Sequence, residues 1–288
     1  MPSSLGFALE PLGPSLTPRS TLSPLRHARG LHALLFRWLY EADPAVSGEV
    51  HDEMTIKPFT VSPIFRDGAG YHFRVTILDD RLEGALLDGF RRLVERGGMV
   101  EFGEDAFRLT LPVAEVAKRW TAAATYEELE RGSAREPTVT LVFASPTSFR
   151  RQSKNYPLPD PVLVFQSLAN RWNAFAENKV DTALLIGRVG AGVAVSRARV
   201  QTVATALGNV KQIGFVGQAV YRMEEGRRDD GGTVSAGAVT DHQWLHHWAN
   251  VLADFSFYSG VGYKCALGFG QCWHVPGWNA LADVVGYR

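Results

Sequence analysis

The chain has 288 residues, which is long enough for two domains of about 140 residues each. Hydrophobic residues make up 45% of it and charged residues 21%, so each half can bury a core, and a disordered or fibrous protein is excluded. The 30 basic residues balance the 30 acidic residues, which argues against a protein that coats nucleic acid through an overall positive field.

The first half of the chain predicts two helices among five strands. In chain order these are a strand at Leu5 to Leu12, a helix at Ser23 to Ala42, strands at Pro58 to Phe65 and Tyr71 to Leu78 joined by a hairpin turn, a helix at Leu82 to Arg96, and a strand pair at Met99 to Pro112. Helical spacing gives the first helix one apolar face, formed by Leu31, Leu34, Leu35, Trp38 and Leu39. This order is that of a ferredoxin-like βαββαβ unit.

The second half predicts the same order again. A short helix at Thr125 to Arg131 is followed by turn residues that place a boundary near residue 135. Then come a strand at Thr138 to Phe143, a loop, a helix at Asp160 to Glu177, strands at Gly192 to Leu207 and Lys211 to Met223, a polar interruption at Glu224 to Gly237, a helix at Asp241 to Ser256, and a strand at Gln271 to Val275. We therefore expect an α+β protein with two tandem ferredoxin-like (RRM-like) domains, residues 1–135 and 136–288.

A glycine-rich segment lies between the last predicted helix and the last predicted strand. Its glycines surround one basic residue, Lys264, and they are Gly260, Gly262, Gly268 and Gly270. Glycine lets one backbone approach another closely. The segment follows a helix and precedes a strand, and it lacks the ending of a P-loop, so it does not predict a nucleotide cofactor. Taken alone, such a turn between a helix and a strand is more often a structural connection than a phosphate-binding loop.

Two stretches contain basic residues and no acidic residue. Between Thr182 and Met223 there are Arg188, Arg197, Arg199, Lys211 and Arg222. The stretch from Pro137 to Pro159 carries Arg150, Arg151 and Lys154 beside Phe149 and Tyr156. The first stretch can supply a basic face to a polyphosphate. In the second, guanidinium groups and aromatic rings can hold phosphates and stack on unpaired bases. The alternative is a solvated, charged surface.

Four stretches together resemble the CRISPR-associated repeat-RNA endoribonucleases of the repeat-associated RNA-binding superfamily, which have tandem ferredoxin-like domains. The first is LHALLFRWLYEA, followed by His51 and KPFTVSPIF; the second is LVFASPTSFRR; the third is PLPDPVLVFQSLANRWNAF; the fourth joins IGFVGQAVYRM with SGVGYKCALGFG. They occur in the family's order and span about residues 31 to 273.

The resemblance implies an enzyme that binds the repeat of precursor CRISPR RNA, as a hairpin or a single strand, and cleaves it once without a metal or another cofactor. Attack by the neighbouring 2′-hydroxyl would leave a 2′,3′-cyclic phosphate and a 5′-hydroxyl, and the product would pass to an interference complex. One alternative is a non-catalytic RNA-binding scaffold of the same superfamily. Another is a small-molecule or peptide-binding protein that shares only the fold.

The resemblance places a catalytic histidine after the first helix, which here is His51, with Tyr40 and Lys57 flanking it. Histidine transfers protons near neutral pH, and lysine stabilises the charge that develops on phosphorus. His32 and His27 are the next candidates. The residues predicted to bind RNA are Arg150, Arg151, Lys154, Arg197, Arg199, Lys211, Gly260, Gly262, Lys264, Gly268 and Gly270.

Other chemistry has little support in the sequence. His242, His246 and His247 resemble a metal-binding pair at i and i+4 on a helix, but no third ligand is evident nearby, and no metal site is predicted. Cys265 and Cys272 are expected to be free thiols. The N-terminal residues lack the layout of a secretion signal, so a cytoplasmic protein without a membrane segment is expected. Whether the chain forms a homodimer is left open.

Overall fold

The computed structural model describes residues 1–13, 25–53, 55–67, 70–110, 120–207, 210–223 and 236–277. These residues form two main antiparallel sheets, one from each half of the chain, and one short two-stranded hairpin. Within these ranges, no helix has the length and apolar character needed to cross a membrane.

The first sheet has β1 at its centre. Its elements are β1 (Ser3–Pro11), α1 (Ala28–Ala42), α2 (Pro44–Gly48), a π-helical turn (Glu49–Glu53), β2 (Phe59–Val61), β3 (Phe65–Asp67), β4 (Gly70–Ile77), α3 (Arg81–Glu95), β5 (Met99–Phe102), β6 (Asp105–Thr110) and β7 (Ala122–Ala123). The strand order is β2-β4-β1-β6-β5, with β3 paired to β4 and β7 to β1. This is a ferredoxin-like unit whose last strand is the β5–β6 hairpin.

Helix α1 packs on this sheet through the apolar face that the sequence predicts. All five predicted residues are buried, from Leu31 to Leu39. Helices α1 and α3 cross closely at Gly89 of α3, where an added Cβ would lie 2.4 Å from the Cβ of Trp38 in α1. Each fully buried side chain of this kind stabilises the fold by about 1.5–3 kcal/mol, so this face holds α1 on the sheet.

The second half repeats the topology. Its elements are α4 (Tyr126–Gly132), β8 (Thr138–Thr147), β9 (Phe149–Arg151), β10 (Lys154–Tyr156), α5 (Pro161–Phe175), α6 (Thr182–Gly192), β11 (Val193–Leu207), β12 (Val210–Met223), α7 (Ala236–Ser259), a 3₁₀ turn (Cys265–Leu267) and β13 (Cys272–Val275). The strand order is β11-β12-β8-β13. The predicted α+β fold with two tandem ferredoxin-like units is therefore confirmed.

Several elements were not predicted, among them α2, the π-helical turn, β7, α6 and the β9–β10 hairpin. Helix α6 occupies the start of the second basic stretch, and it begins where the Asp181 carboxylate accepts a hydrogen bond from the Leu184 N–H at 3.0 Å. The stretch predicted as a loop contains the β9–β10 hairpin, because Gln152 and Ser153 have φ angles of 49° and 63° and close a tight turn.

Several predicted boundaries also differ. The strand predicted at Pro58 to Phe65 is two pieces, β2 and β3, with irregular backbone at residues 62–64 that includes Pro63, which has no N–H for a strand ladder. Helix α7 begins at Ala236, five residues before the predicted start. Most of the predicted interruption at Glu224 to Gly237, and the first residues of the helix predicted from Ser23, lie outside the described residues.

The two halves meet through a buried polar cluster. Arg74 of β4 is only 1% exposed, and its Nη2 donates a hydrogen bond to Oε1 of Gln271 at 2.7 Å. Its guanidinium also lies 4.4 Å from the centre of the Phe257 ring. Burial lowers the pKa of Arg74 to about 10, so the side chain is still protonated at neutral pH. Gln271 directly follows the glycine-rich segment, so this cluster fixes the segment against the first sheet.

Candidate active site

His51 lies on the π-helical turn that connects α2 to β2. Its side chain is 66% exposed, and Nδ1 is 2.7 Å from Oδ1 of Asp52. A carboxylate accepts hydrogen bonds, so Nδ1 of His51 is the donor. In the described part of the chain, Nε2 of this ring has no hydrogen-bond partner, and it is therefore the nitrogen that can exchange a proton with a bound molecule.

Lys57 closes the same turn. Its Nζ donates hydrogen bonds to the carbonyl oxygens of Val50 and His51, each at 2.7 Å. Burial lowers the pKa of Lys57, and the nearby Asp52 carboxylate acts in the opposite direction. An ammonium group has three hydrogens, so one is left for another acceptor such as a phosphate oxygen. The predicted pair of His51 and Lys57 is thus brought together, with the lysine also supporting the histidine's backbone.

A row of rings connects this turn to α1. The centre of the Phe36 ring lies 5.1 Å from that of His51 and 4.9 Å from that of His32, both edge-on. Nδ1 of His32 lies 2.9 Å from the carbonyl oxygen of Ala266, in the glycine-rich segment. Because a carbonyl can only accept, Nδ1 carries the hydrogen. His32 therefore faces the same site as His51, on the other side of Phe36.

The other two candidates for catalysis have different surroundings. Tyr40 is 63% exposed and lies one helical turn beyond Phe36, and no described contact joins it to His51 or Lys57. Its catalytic role stays a prediction. His27 is buried, and its Nε2 lies 2.7 Å from Oδ2 of Asp105 at the β5–β6 hairpin. This hydrogen bond gives His27 a structural role at the start of α1.

The glycine-rich segment is held against the end of β8. Gly262 and Gly270 have φ angles of 86° and 66°, which favour glycine. A Cβ on Gly262 would lie 2.5 Å from the Ser148 carbonyl oxygen, and one on Gly270 would lie 2.0 Å from that of Val261. The predicted close approach of backbones is therefore present. Gly260 and Gly268 also have positive φ, of 62° and 82°.

The segment carries its basic residue towards the β9–β10 hairpin. Lys264 has a φ of 64°, rare for a residue with a side chain, and its Nζ lies 5.2 Å from the centre of the Tyr263 ring. Arg150 stacks on the same ring at 5.0 Å. Nζ of Lys264 also donates to Oε1 of Gln212 at 3.4 Å, and Gln212 donates to Asn155 at 2.8 Å. We call these residues the Tyr263 platform: Arg150, Asn155, Gln212, Tyr263 and Lys264.

The remaining predicted RNA-binding residues do not all lie at this platform. Arg151 and Lys154 are exposed and pair across the β9–β10 hairpin beside it. Lys211 is exposed on the face of β12 opposite to Gln212. Arg199 pairs with Gln218, six residues along β12 from Gln212, which corresponds to about 20 Å at ~3.3 Å per residue, and Arg197 lies farther along. The predicted set is therefore split along the long β11–β12 hairpin.

Sequence reasoning missed several residues of this site. Tyr263, Gln212 and Asn155 belong to the platform, and Phe36 and Asp52 contact the candidate histidines. Phe36 had a local signal, because it follows His32 by four residues on a helix and the two share a face. The platform had none, because its members come from three separate segments of the second half.

Neither the cysteines nor the histidine pair forms a metal site. Cys265 and Cys272 are buried free thiols, as predicted, and burial raises the pKa of both. Among the described residues, no three His, Cys, Asp or Glu side chains are grouped so that they could hold a metal ion. His242 and His246 lie on α7 without a completed set of ligands.

The second half of the chain is similar to a known protein family. Residues 141–272 match the family model of the CRISPR-associated endoribonuclease Cas6. The CRISPR-associated endoribonuclease Cas6 of Mycobacterium tuberculosis is 30% identical over 128 residues, which are 44% of this chain and 36% of that protein. The chain thus matches about a third of the length of its curated relatives.

Solved structures match over nearly the whole chain. A Cas6 product complex superposes with a TM-score of 0.75 at 25% identity, covering 96% of this chain and 100% of that one. A second Cas6 product complex superposes with a TM-score of 0.67 at 27% identity, covering 96% of this chain and 99% of that one. The family model thus matches most of the second half, and Cas6 structures superpose on both halves, so the chain is similar to the CRISPR-associated endoribonuclease Cas6 along most of its length.

Proposed function

We propose that this protein binds the repeat of precursor CRISPR RNA and cleaves it once, by attack of a ribose 2′-hydroxyl on the adjacent phosphate. The products would be a 2′,3′-cyclic phosphate and a 5′-hydroxyl. The observation that carries this proposal is the pairing of an exposed imidazole, His51, with an ammonium group, Lys57, that is hydrogen-bonded to the same turn. That pair can move a proton and stabilise negative charge at one phosphate.

Groups on the turn are available for two of the three chemical tasks of this reaction. The 2′-hydroxyl must lose a proton, the leaving 5′-oxygen must gain one, and the pentacoordinate phosphorus carries extra negative charge. Nε2 of His51 is available for proton transfer, and the remaining hydrogen of Lys57 is available for a phosphoryl oxygen. Tyr40 is exposed on the last turn of α1 and is proposed to position the RNA.

Binding is proposed to depend on the Tyr263 platform and the neighbouring hairpin. Arg150 and Arg151 both lie over tyrosine rings, Tyr263 and Tyr156, at 5.0 and 5.7 Å from the ring centres. Cationic groups beside exposed aromatic rings bind the phosphates and stack with the bases of unpaired RNA. A Cas6 product complex and a Cas6 substrate mimic complex are among the structures that this chain resembles, which supports repeat RNA as the ligand.

Cleavage is expected to continue in excess EDTA, because the proposed proton-transferring and charge-stabilising groups, His51 and Lys57, are side chains of the protein. The experiment incubates the repeat RNA in monovalent salt with and without the chelator and identifies the end groups. We expect the cleavage rates with and without EDTA to agree within about twofold, and the upstream product to carry a cyclic phosphate. A metal-dependent ribonuclease in the same buffer is the control. Loss of activity that Mg²⁺ restores would contradict the proposed mechanism.

Replacing Arg150 and Arg151 together by alanine is expected to weaken RNA binding and reduce its salt dependence. For single-stranded RNA the slope of log affinity against log salt should fall by about 0.7 for each phosphate contact that is lost. The matched control replaces Arg91 and Arg131, two exposed arginines that form ion pairs on α3 and α4. If the slope is the same in both double variants, the RNA does not follow the β9–β10 hairpin.

A further inference from the structure

Gln271 joins the two halves of the protein through its side chain. The residue is 3% exposed, and its Oε1 accepts the hydrogen bond from Nη2 of Arg74 in β4 at 2.7 Å. Its Nε2 donates to Oγ1 of Thr60 at 3.2 Å and to the carbonyl oxygen of Val61 at 3.4 Å, both in β2. An amide side chain has one oxygen and two N–H hydrogens, so Oε1 and both hydrogens are used in bonds to the first sheet.

The backbone of Gln271 belongs to the second half. Its N–H donates to Oγ of Ser145 at 2.9 Å, and its carbonyl oxygen accepts a hydrogen bond from the Ala144 N–H at 2.8 Å. These bonds attach the residue to β8, while its side chain reaches β2 and β4. Sliding one sheet along the other would therefore break the bonds of a buried amide, and buried polar groups without a partner are costly.

This connection is close to both proposed sites. Thr60 follows Lys57 by three residues, which span at most about 11 Å of extended chain. The residue before Gln271 accepts a backbone hydrogen bond from the Val261 N–H at 2.8 Å, which closes the segment that carries the Tyr263 platform. The amide of Gln271 therefore links the proposed cutting site in the first half to the proposed binding site in the second by a short path of fixed contacts.

Arg74 makes this connection hard to displace. Its buried guanidinium lies 4.4 Å from the centre of the Phe257 ring and 5.8 Å from that of the Trp120 ring. Within the described residues, Gln271 accepts the hydrogen bond of Nη2, and Nη1 has no hydrogen-bond partner. Removing an acceptor from a buried cation is strongly unfavourable, so the two halves have one preferred arrangement.

The place of the cut depends on this arrangement, because the RNA is proposed to bind on one half and to be cut on the other. We infer that Gln271 is a positioning residue that determines which phosphate of the bound RNA reaches His51 and Lys57. It fixes β2, and with it the turn that precedes β2, at one distance from the Tyr263 platform. This inference rests on the proposed function and adds to it the residue that sets the register of the cut.

The test replaces Gln271 by glutamate, which keeps an acceptor for Arg74. A carboxylate has no hydrogen to donate to Val61, so Gln271→Glu loses the connection to β2. We expect part of the repeat RNA to be cut at a neighbouring phosphate. The rate at the normal phosphate should fall by about 10²-fold, which is what a displacement of about 1 Å can cost. RNA affinity should change by no more than a few-fold. End-labelled RNA, resolved to single nucleotides, gives both the positions and the rates of cutting.

A second variant weakens the same connection from the first half. Thr60→Val removes one acceptor of the Gln271 amide without adding a charge. Valine has nearly the shape of threonine, so this variant is expected to fold, and it should add the same cuts in a smaller share of the RNA.

The matched control is Asn250→Asp, which also changes a buried amide to an acid. Nδ2 of Asn250 donates to the carbonyl oxygens of Glu136 and His246 at 2.9 and 2.7 Å, and all three residues belong to the second half. We expect this variant to have a lower melting temperature and still to cut at the normal phosphate alone.

The inference is overturned if neither Gln271→Glu nor Thr60→Val adds a cut, even if cleavage is slower, because a purely structural role lowers stability or rate without moving the cut. The same additional cuts in Asn250→Asp would also overturn it, since general loosening would then be their cause. If the unmodified protein does not cleave the repeat at all, the proposed function fails, which is a different result from cleavage at one unmoved position.

Discussion

Replacing His51 by alanine is expected to slow cleavage of the repeat RNA by about 10²- to 10⁴-fold, the usual contribution of a group that transfers a proton in the transition state. RNA affinity should change by no more than a few-fold. The side chain is 66% exposed on a local turn, so its removal leaves the core intact. Single-turnover cleavage and equilibrium binding, measured on the same RNA, separate the two effects.

His274 supplies the control for this experiment. It lies on β13, where its Nδ1 is 2.7 Å from Asp254, and it belongs to the sheet of the other half. We expect His274→Ala to cleave at close to the normal rate. If His51→Ala loses binding and cleavage to the same extent, His51 holds the RNA and another group transfers the proton. If His51→Ala cleaves normally, the catalytic assignment is wrong.

Local features of the site could be predicted from the sequence. The apolar face of α1 is set by residues three and four positions apart, and this periodicity gave both the helix and its buried side. Because the helix ends at Ala42 and β2 begins at Phe59, the polar residues between them must lie at one edge of the first sheet. His51 and Lys57 are only six residues apart, so their contact follows from the chain itself.

Contacts between the halves could not be predicted in this way. His32 and Ala266 are 234 residues apart, and Arg74 and Gln271 are 197 apart, so both pairs depend on how two separate sheets dock. A single sequence contains no periodicity that reports such docking. Long-range contacts within the second half explain why Asn155, Gln212 and Tyr263 were missed, since the Tyr263 platform forms only after β10, β12 and the glycine-rich segment are in place.

Arginine positions show a second limit of sequence reasoning. Five basic residues without a nearby acid suggested one continuous surface from residue 182 to 223. The structure instead contains helix α6 followed by a long antiparallel hairpin, which separates Arg199 from Gln212 by about 20 Å at ~3.3 Å per residue. Charge counts predict that basic residues are present, but the element boundaries decide which of them act together.

The central claim is that the RNA supplies the nucleophile from its own sugar. If so, a single 2′-deoxy substitution on the nucleotide before the cut should abolish cleavage, because no oxygen is left to attack the phosphate. RNA affinity should change by no more than a few-fold, since one hydrogen bond of a hydroxyl contributes only about 0.5–1.5 kcal/mol net. This is the largest effect that we expect from any single change in the system.

The decisive measurement therefore maps the cut in the repeat RNA from the same genome and then compares two substituted RNAs at equal occupancy. One carries the 2′-deoxy sugar at the cut, and the control carries it two nucleotides away. We predict that the first is bound and not cut, and that the second is bound and cut at the normal rate. Continued cleavage of the first RNA would contradict the account.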